Sequence, residues 1–153
     1  MRFSEIIGPD QIVLDLQAKD RWEAIEKLVG YLVKQKRIAE PRHQAVIKAV
    51  KEREKSISTG IGLGVAIPHA QIEAIDKSIG VLARSPEGIH FDALDNQPAK
   101  LVVLFLSPSG QHQEHLKTLA TVSRMVHNRE FCHDALQAKT ANEMYQLILN
   151  REG

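Results

Sequence analysis

"FDALDNQPAKLVVLFL", residues 91–106, decides the architecture. Asp95, Asn96 and Pro98 have the chemistry of a turn: the short polar side chains bond to nearby backbone, and proline presets one dihedral. Leu101 to Leu106 then runs apolar without a break. A strand with one wet face alternates apolar and polar residues, because successive side chains point to opposite faces. An unbroken apolar run straight after a turn therefore predicts a central strand, covered on both faces.

The elements around this strand fit that reading. "QIVLDLQ" (11–17) alternates Ile12, Leu14 and Leu16 with mostly polar neighbours and predicts a half-buried strand. Asp20 is placed to cap a helix whose Ile25, Leu28, Val29, Leu32 and Val33 recur at helical spacing. In "AEPRHQAVIKAVKERE", Pro41 suits a first helical turn, and Ala45, Val46, Ala49 and Val50 share one face. "GVAI" (64–67) and "SIGVLA" (78–83) read as strands. A long helix is expected from Ser109 to about His127, with Leu116, Leu119, Ala120, Ser123 and Val126 facing inward. Two shorter helices follow, near Arg129–Ala138 and after Thr140 as cap. Helices interleaved with strands predict an α/β sandwich with helices on both faces of the sheet. The pattern leaves strand order and direction open.

The 153 residues suffice for one domain, 1–153, and no repeat or linker divides them. Apolar residues make up 43% and charged residues 25%, the composition of a soluble globular chain. The formal net charge of +1 supplies no basic stripe, so nucleic acid is not an expected partner. No apolar run approaches the ~20 residues that span a bilayer, and the N-terminus lacks the apolar segment of a signal peptide. Cys132 is the one cysteine, which fits a reducing compartment. A cytoplasmic location is expected.

"STGIGLGVAIPHA" (58–70) carries the chemistry. Gly60, Gly62 and Gly64 suggest a phosphate-cradling loop, but the dinucleotide fingerprint needs a different spacing and a strand before a helix; here the helix comes first. Two readings of His69 remain. One is a surface turn residue after a strand ended by Pro68. The other is a nucleophile. An imidazole titrating near pH ~6.5 carries a free lone pair at neutrality and can attack a labile phosphoryl group directly. Pro68 and the strand residues Val65 to Ile67 would hold it rigid, and the glycines would let another backbone approach.

The same segment resembles the active-site stretch of the fructose/mannitol-type enzyme IIA of the bacterial phosphoenolpyruvate-dependent phosphotransferase system. "LDLQAKDRWEAIEKLVGYL", "VKERE", "FDALDNQPAKLVVLFL" and "EHLKTLATVSR" fall in that family's order, from about residue 10 to 150. "STGIGLGVAIPH" and "FDALDNQP" look most like its nitrogen-regulatory branch, although Ala70 stands where glycine is commoner and Leu63 where that branch often has a polar residue. The resemblance implies the mannitol-type IIA fold, a mixed sheet with helices on both faces. It implies a phosphocarrier that takes a phosphoryl group on His69 from a histidine-containing phosphocarrier protein, with no cofactor or metal. The group would pass to a downstream regulatory protein or, in the sugar-transport alternative, to the IIB part of a separate permease.

The resemblance also assigns supporting residues. His115 in "EHLKTLA" looks like the second active-site histidine, which hydrogen-bonds the phosphoryl group without accepting it. A helix start beside it would favour an anion. Arg53 in "KEREK" matches an arginine that orients the site, while Lys51, Glu52, Glu54 and Lys55 read as solvated charge. Ser58 and Thr59 could offer hydroxyl or backbone donors, or could simply end the preceding helix. His112-x-x-His115 with Glu114 or His69 would suit zinc, in an alternative where the chain is a metal or binding module. His43, His90, His127 and His133 show no partner pattern.

Overall fold

The apolar run lies where its pattern predicts. In the computed structural model, which describes residues 1–152, Leu101–Leu106 forms the middle of a ten-residue strand, β6 (Ala99–Pro108), numbered after β1 (Ile12–Val13), β2 (Gly60–Gly62), β3 (Val65–Ala66), β4 (His69–Ile72) and β5 (Ile79–Ile89). The helices are α1 (Arg21–Lys34), α2 (His43–Ser56), α3 (His112–Val126), α4 (Arg129–Gln137) and α5 (Ala141–Glu152). β6 pairs with β5 antiparallel on one side and with both β3 and β4 parallel on the other. β1 lies parallel outside β5, and β2 closes the far edge antiparallel to β3. The sheet is mixed.

Alternate residues of β6 feed two cores. Val102, Leu104 and Leu106 pack with Ile25, Leu28, Val29 and Leu32 of α1 and Val46 and Val50 of α2. Leu101, Val103 and Phe105 pack against Val122, Met125 and Val126 of α3, Phe131 of α4, and Met144 and Ile148 of α5. Truncating one such buried leucine costs about 2–5 kcal/mol, and a polar side chain at these positions would be buried with no partner to bond. The caps follow the sequence: Asp20 accepts from the Glu23 amide at 2.9 Å, and Thr140 Oγ1 accepts from the Glu143 amide at 3.0 Å.

Several elements differ from expectation. The strand at 11–17 keeps regular register with β5 only at Ile12–Val13, flanked by single backbone bonds from Leu82 N to the Gln11 carbonyl and from Leu16 N to the Arg84 carbonyl. The Gln11 side-chain amide turns inward and donates to the carbonyls of Ile6 and Gly80. Pro41 sits in a separate 3-10 turn (Glu40–Arg42) ahead of α2. On α2, Ala45 is exposed, and Glu54 completes the buried face with Val46 and Val50. β5 extends past Ala83 to Ile89, passing Pro86 at a register shift where the ladder needs no donor there. α3 begins at His112 rather than Ser109 and is rotated from the expected face: Thr118, Thr121, Val122, Met125 and Val126 are buried, while Leu116 is 49% exposed and Ala120 is exposed.

Candidate functional site

The glycine segment folds as a hairpin, not as loose loop. β2 and β3 pair around a turn at Leu63 and Gly64, with φ of 58° and 79°. The chain then breaks its strand at Pro68, whose carbonyl accepts from the Phe105 amide at 3.1 Å. His69 thus opens a new strand, β4, instead of ending the one before it, and lies in parallel register with Phe105.

That register builds a cluster of three rings. The His69 imidazole stacks on Phe105 with centroids 5.0 Å apart and planes 4° from parallel. His115, in the first turn of α3, lies 5.4 Å from His69 and 5.7 Å from Phe105, centroid to centroid. The two histidines singled out in the sequence therefore meet, although they stand 46 positions apart in the chain. Phe105, which gave no signal beyond core apolarity, sets the plane of the His69 ring.

Hydrogen bonds fix what each ring presents. His69 Nδ1 lies 2.7 Å from the Ile67 carbonyl, which can only accept. Nδ1 must therefore carry the proton, and the lone pair is on Nε2. His69 is only 7% exposed, and burial pushes its pKa down to about 4; the nearby Arg53 and His115 add to this, and the Ile67 bond opposes it. It is thus a neutral, free base across the physiological range. His115 is also held below the ordinary imidazole value, first by burial and then by His112 and Arg53.

Arg53 reaches the site from the opposite layer, in the last turn of α2, and its guanidinium bonds the Ile57 carbonyl at 3.0 Å. A cation that depresses both imidazoles is equally placed to attract an anion between them. The next residue, Glu54, corrects the sequence reading. It is 1% exposed rather than solvated, pairs with Arg21 at 3.1 Å, and accepts from both the amide and the hydroxyl of Thr59. The expected hydroxyl donors are engaged too. Thr59 gives its proton to Glu54, and Ser58 gives its own to the Phe91 carbonyl, so both hydroxyls brace the hairpin rather than face an anion. Lys51 is paired with Glu26 rather than free in solvent. Among the described residues, no three His, Cys, Asp or Glu side chains gather as metal ligands would, which leaves the His112, His115 and Glu114 set without a centre. Among them, too, no helix is long and apolar enough to cross a membrane.

Known proteins are similar to this chain in sequence and in fold. A protein of Escherichia coli strain K12 named nitrogen regulatory protein is 40% identical over 111 residues, 72% of this chain and 68% of its own. A fructose-specific EIIA component from Haloferax volcanii is 35% identical over 125 residues, covering 82% and 80%. The crystal structure of nitrogen regulatory protein IIA-Ntr from Neisseria meningitidis superposes with a TM-score of 0.84 at 28% identity, over 95% of this chain and 97% of that one. The family profile described as phosphoenolpyruvate-dependent sugar phosphotransferase system, EIIA 2, matches residues 5–151. With this match spanning nearly the whole chain and the fold in agreement, the chain belongs to the EIIA 2 family of the phosphoenolpyruvate-dependent sugar phosphotransferase system.

Proposed function

We propose that residues 1–153 act as one cytoplasmic phosphocarrier unit, with His69 as the acceptor. The observation that carries this reading is the bond from His69 Nδ1 to the Ile67 carbonyl beside a second histidine. Nε2 of His69 attacks the phosphorus of a phosphohistidine on a histidine-containing phosphocarrier protein. The new N–P bond forms as the donor's P–N bond breaks, and the donor nitrogen keeps that electron pair. The proton on His69 Nδ1 stays against the carbonyl, which stabilises the positive charge growing on the ring. His115 and Arg53 stabilise the phosphoryl oxygens, since phosphoryl transfer depends mainly on positioning and electrostatics. No ATP and no metal enter this step, because the donor bond is already labile.

The nitrogen-regulatory role is favoured by the likeness to regulatory proteins in both sequence and fold. In that role the added charge changes which downstream protein docks over His69. The Haloferax relative keeps a second reading open, in which phosphate passes to the IIB part of a sugar permease.

Incubation with the phosphorylated donor protein is expected to place acid-labile phosphate on the wild type and none on His69→Ala. Label retained by His69→Ala refutes the assignment. His115→Ala is expected to accept label but to pass it on about 100-fold more slowly, the size of effect of losing one transition-state donor. Release of phosphate by permease membranes with sugar would favour transport over regulation.

A further inference from the structure

We infer that Ser107 is a positioning residue: its hydroxyl donates to Nδ1 of His115 and so keeps that ring's proton on Nε2, facing the group that His69 carries. This inference rests on the phosphocarrier reading above and deepens it.

Ser107 lies in β6, fully buried, with Oγ 2.5 Å from His115 Nδ1. It is two residues beyond Phe105, so the two side chains share one face of the strand beneath α3. The proton between Ser107 and His115 has two arrangements. If Nδ1–H donated to Oγ, the hydroxyl's own proton would need another acceptor. Among the described residues none lies within hydrogen-bond reach of Oγ, and a buried O–H left without an acceptor is strongly disfavoured. The arrangement that satisfies every group has Oγ–H donating to Nδ1, which leaves the His115 proton on Nε2.

The two histidines are thus set to opposite roles by two different backbone-anchored partners. The Ile67 carbonyl forces a proton onto Nδ1 of His69 and a lone pair onto Nε2. The Ser107 hydroxyl does the reverse to His115. One ring attacks and the other donates to a phosphoryl oxygen. Were both to present lone pairs, His115 would repel the oxygens it is placed to hold. Sequence reading could not find Ser107, since "LFLSPSG" shows only a small polar residue closing an apolar strand.

Nitrogen-15 spectra of the unphosphorylated wild type at neutral pH are expected to show His115 protonated at Nε2, with Nδ1 as a hydrogen-bond acceptor. A proton on Nδ1 overturns the inference. In Ser107→Ala the Nδ1–H form should rise in population, and onward transfer from His69 should slow about tenfold, the equivalent of one ordinary hydrogen bond. The double variant Ser107→Ala/His115→Ala should transfer no more slowly than His115→Ala alone. Additive losses would make Ser107 merely structural and overturn the inference. If the wild type never takes phosphate, the phosphocarrier reading fails by itself, while the spectrum still decides which atom of His115 carries the proton.

Discussion

At the scale of single residues, His69 couples reactivity to stability. Its pKa is about 4 in the folded chain against an ordinary 6.5, mainly because burial disfavours the charged ring. Between those values the unfolded chain binds a proton that the folded chain refuses. Unfolding is therefore increasingly favoured as pH falls from 6.5 towards 4, and the loss stops below the lower value. A shift of that size corresponds to roughly 3 kcal/mol. Urea unfolding of wild type and His69→Gln across this window is expected to show the wild type losing that much relative to the variant, which has nothing to titrate there. Parallel stability curves would mean that the ring is not held neutral by the fold. The same property makes the imidazole a ready nucleophile, because no base need first remove a proton from Nε2.

At the scale of elements, the β2–β3 hairpin is held in a strained turn. Both Leu63 and Gly64 have positive φ, the arrangement of a type I′ turn, where Asn-Gly is the preferred pair. Leu63 is 73% exposed, so its side chain contributes little packing to offset that backbone strain. Leu63→Asn is expected to stabilise the protein by about 1 kcal/mol, raising the thermal midpoint by about 3 °C; an unchanged or lower midpoint would show that the leucine packs more than its exposure suggests. Glu54 braces the other end of the same hairpin. Glu54→Ala strands Arg21 and two Thr59 donors and is expected to cost about 3 kcal/mol in denaturant unfolding, with Glu54→Gln costing less. Within the sheet, a Cβ on Gly80 would lie 2.8 Å from the Leu104 carbonyl oxygen, so Gly80→Ala is expected to cost about 3 kcal/mol by the same measurement. These elements also show what the sequence made legible. α1 was readable because its cap and its apolar stripe agree, and β6 because nothing polar interrupts its centre. The face of α3 was not, because it buries two threonines. Their hydroxyls bond the carbonyls of Glu114 and Lys117 one turn back, so polar residues lie inside while Leu116 lies out, and hydrophobic spacing points the wrong way. Glu54 was hidden for a similar reason: its partner Arg21 lies on another helix, and a charge run shows only its own neighbours.

At the scale of the whole molecule, the sheet gathers parts of the site from both layers. His69 enters on β4, His115 on the α3 layer and Arg53 on the α2 layer, converging beside β6. The sequence could nominate those three because each sits in a motif of its own. It could not show Phe105 and Ser107, whose roles exist only once the strand lies under the helix. In the proposed phosphocarrier role, one covalent event at this convergence would act on a nearly neutral molecule. The formal net charge is +1, and a phosphoryl group adds about −1.5 to −2 above neutral pH, taking the total to about −1. On that reading the added charge would sit at the ring cluster, with Arg53 as the nearby cation to meet it. A partner that reads charge would therefore sense a change of sign in the molecule as well as a new local anion. Ion-exchange chromatography at pH 7.5 should separate the phosphorylated form as the more anionic species, and mild acid, which cleaves phosphohistidine, should return it to the starting position. His69→Ala treated in the same way should not move. A shift that survives acid would place the phosphate on a hydroxyl, and a shift in His69→Ala would place it on another side chain; either result would detach the signal from the ring cluster.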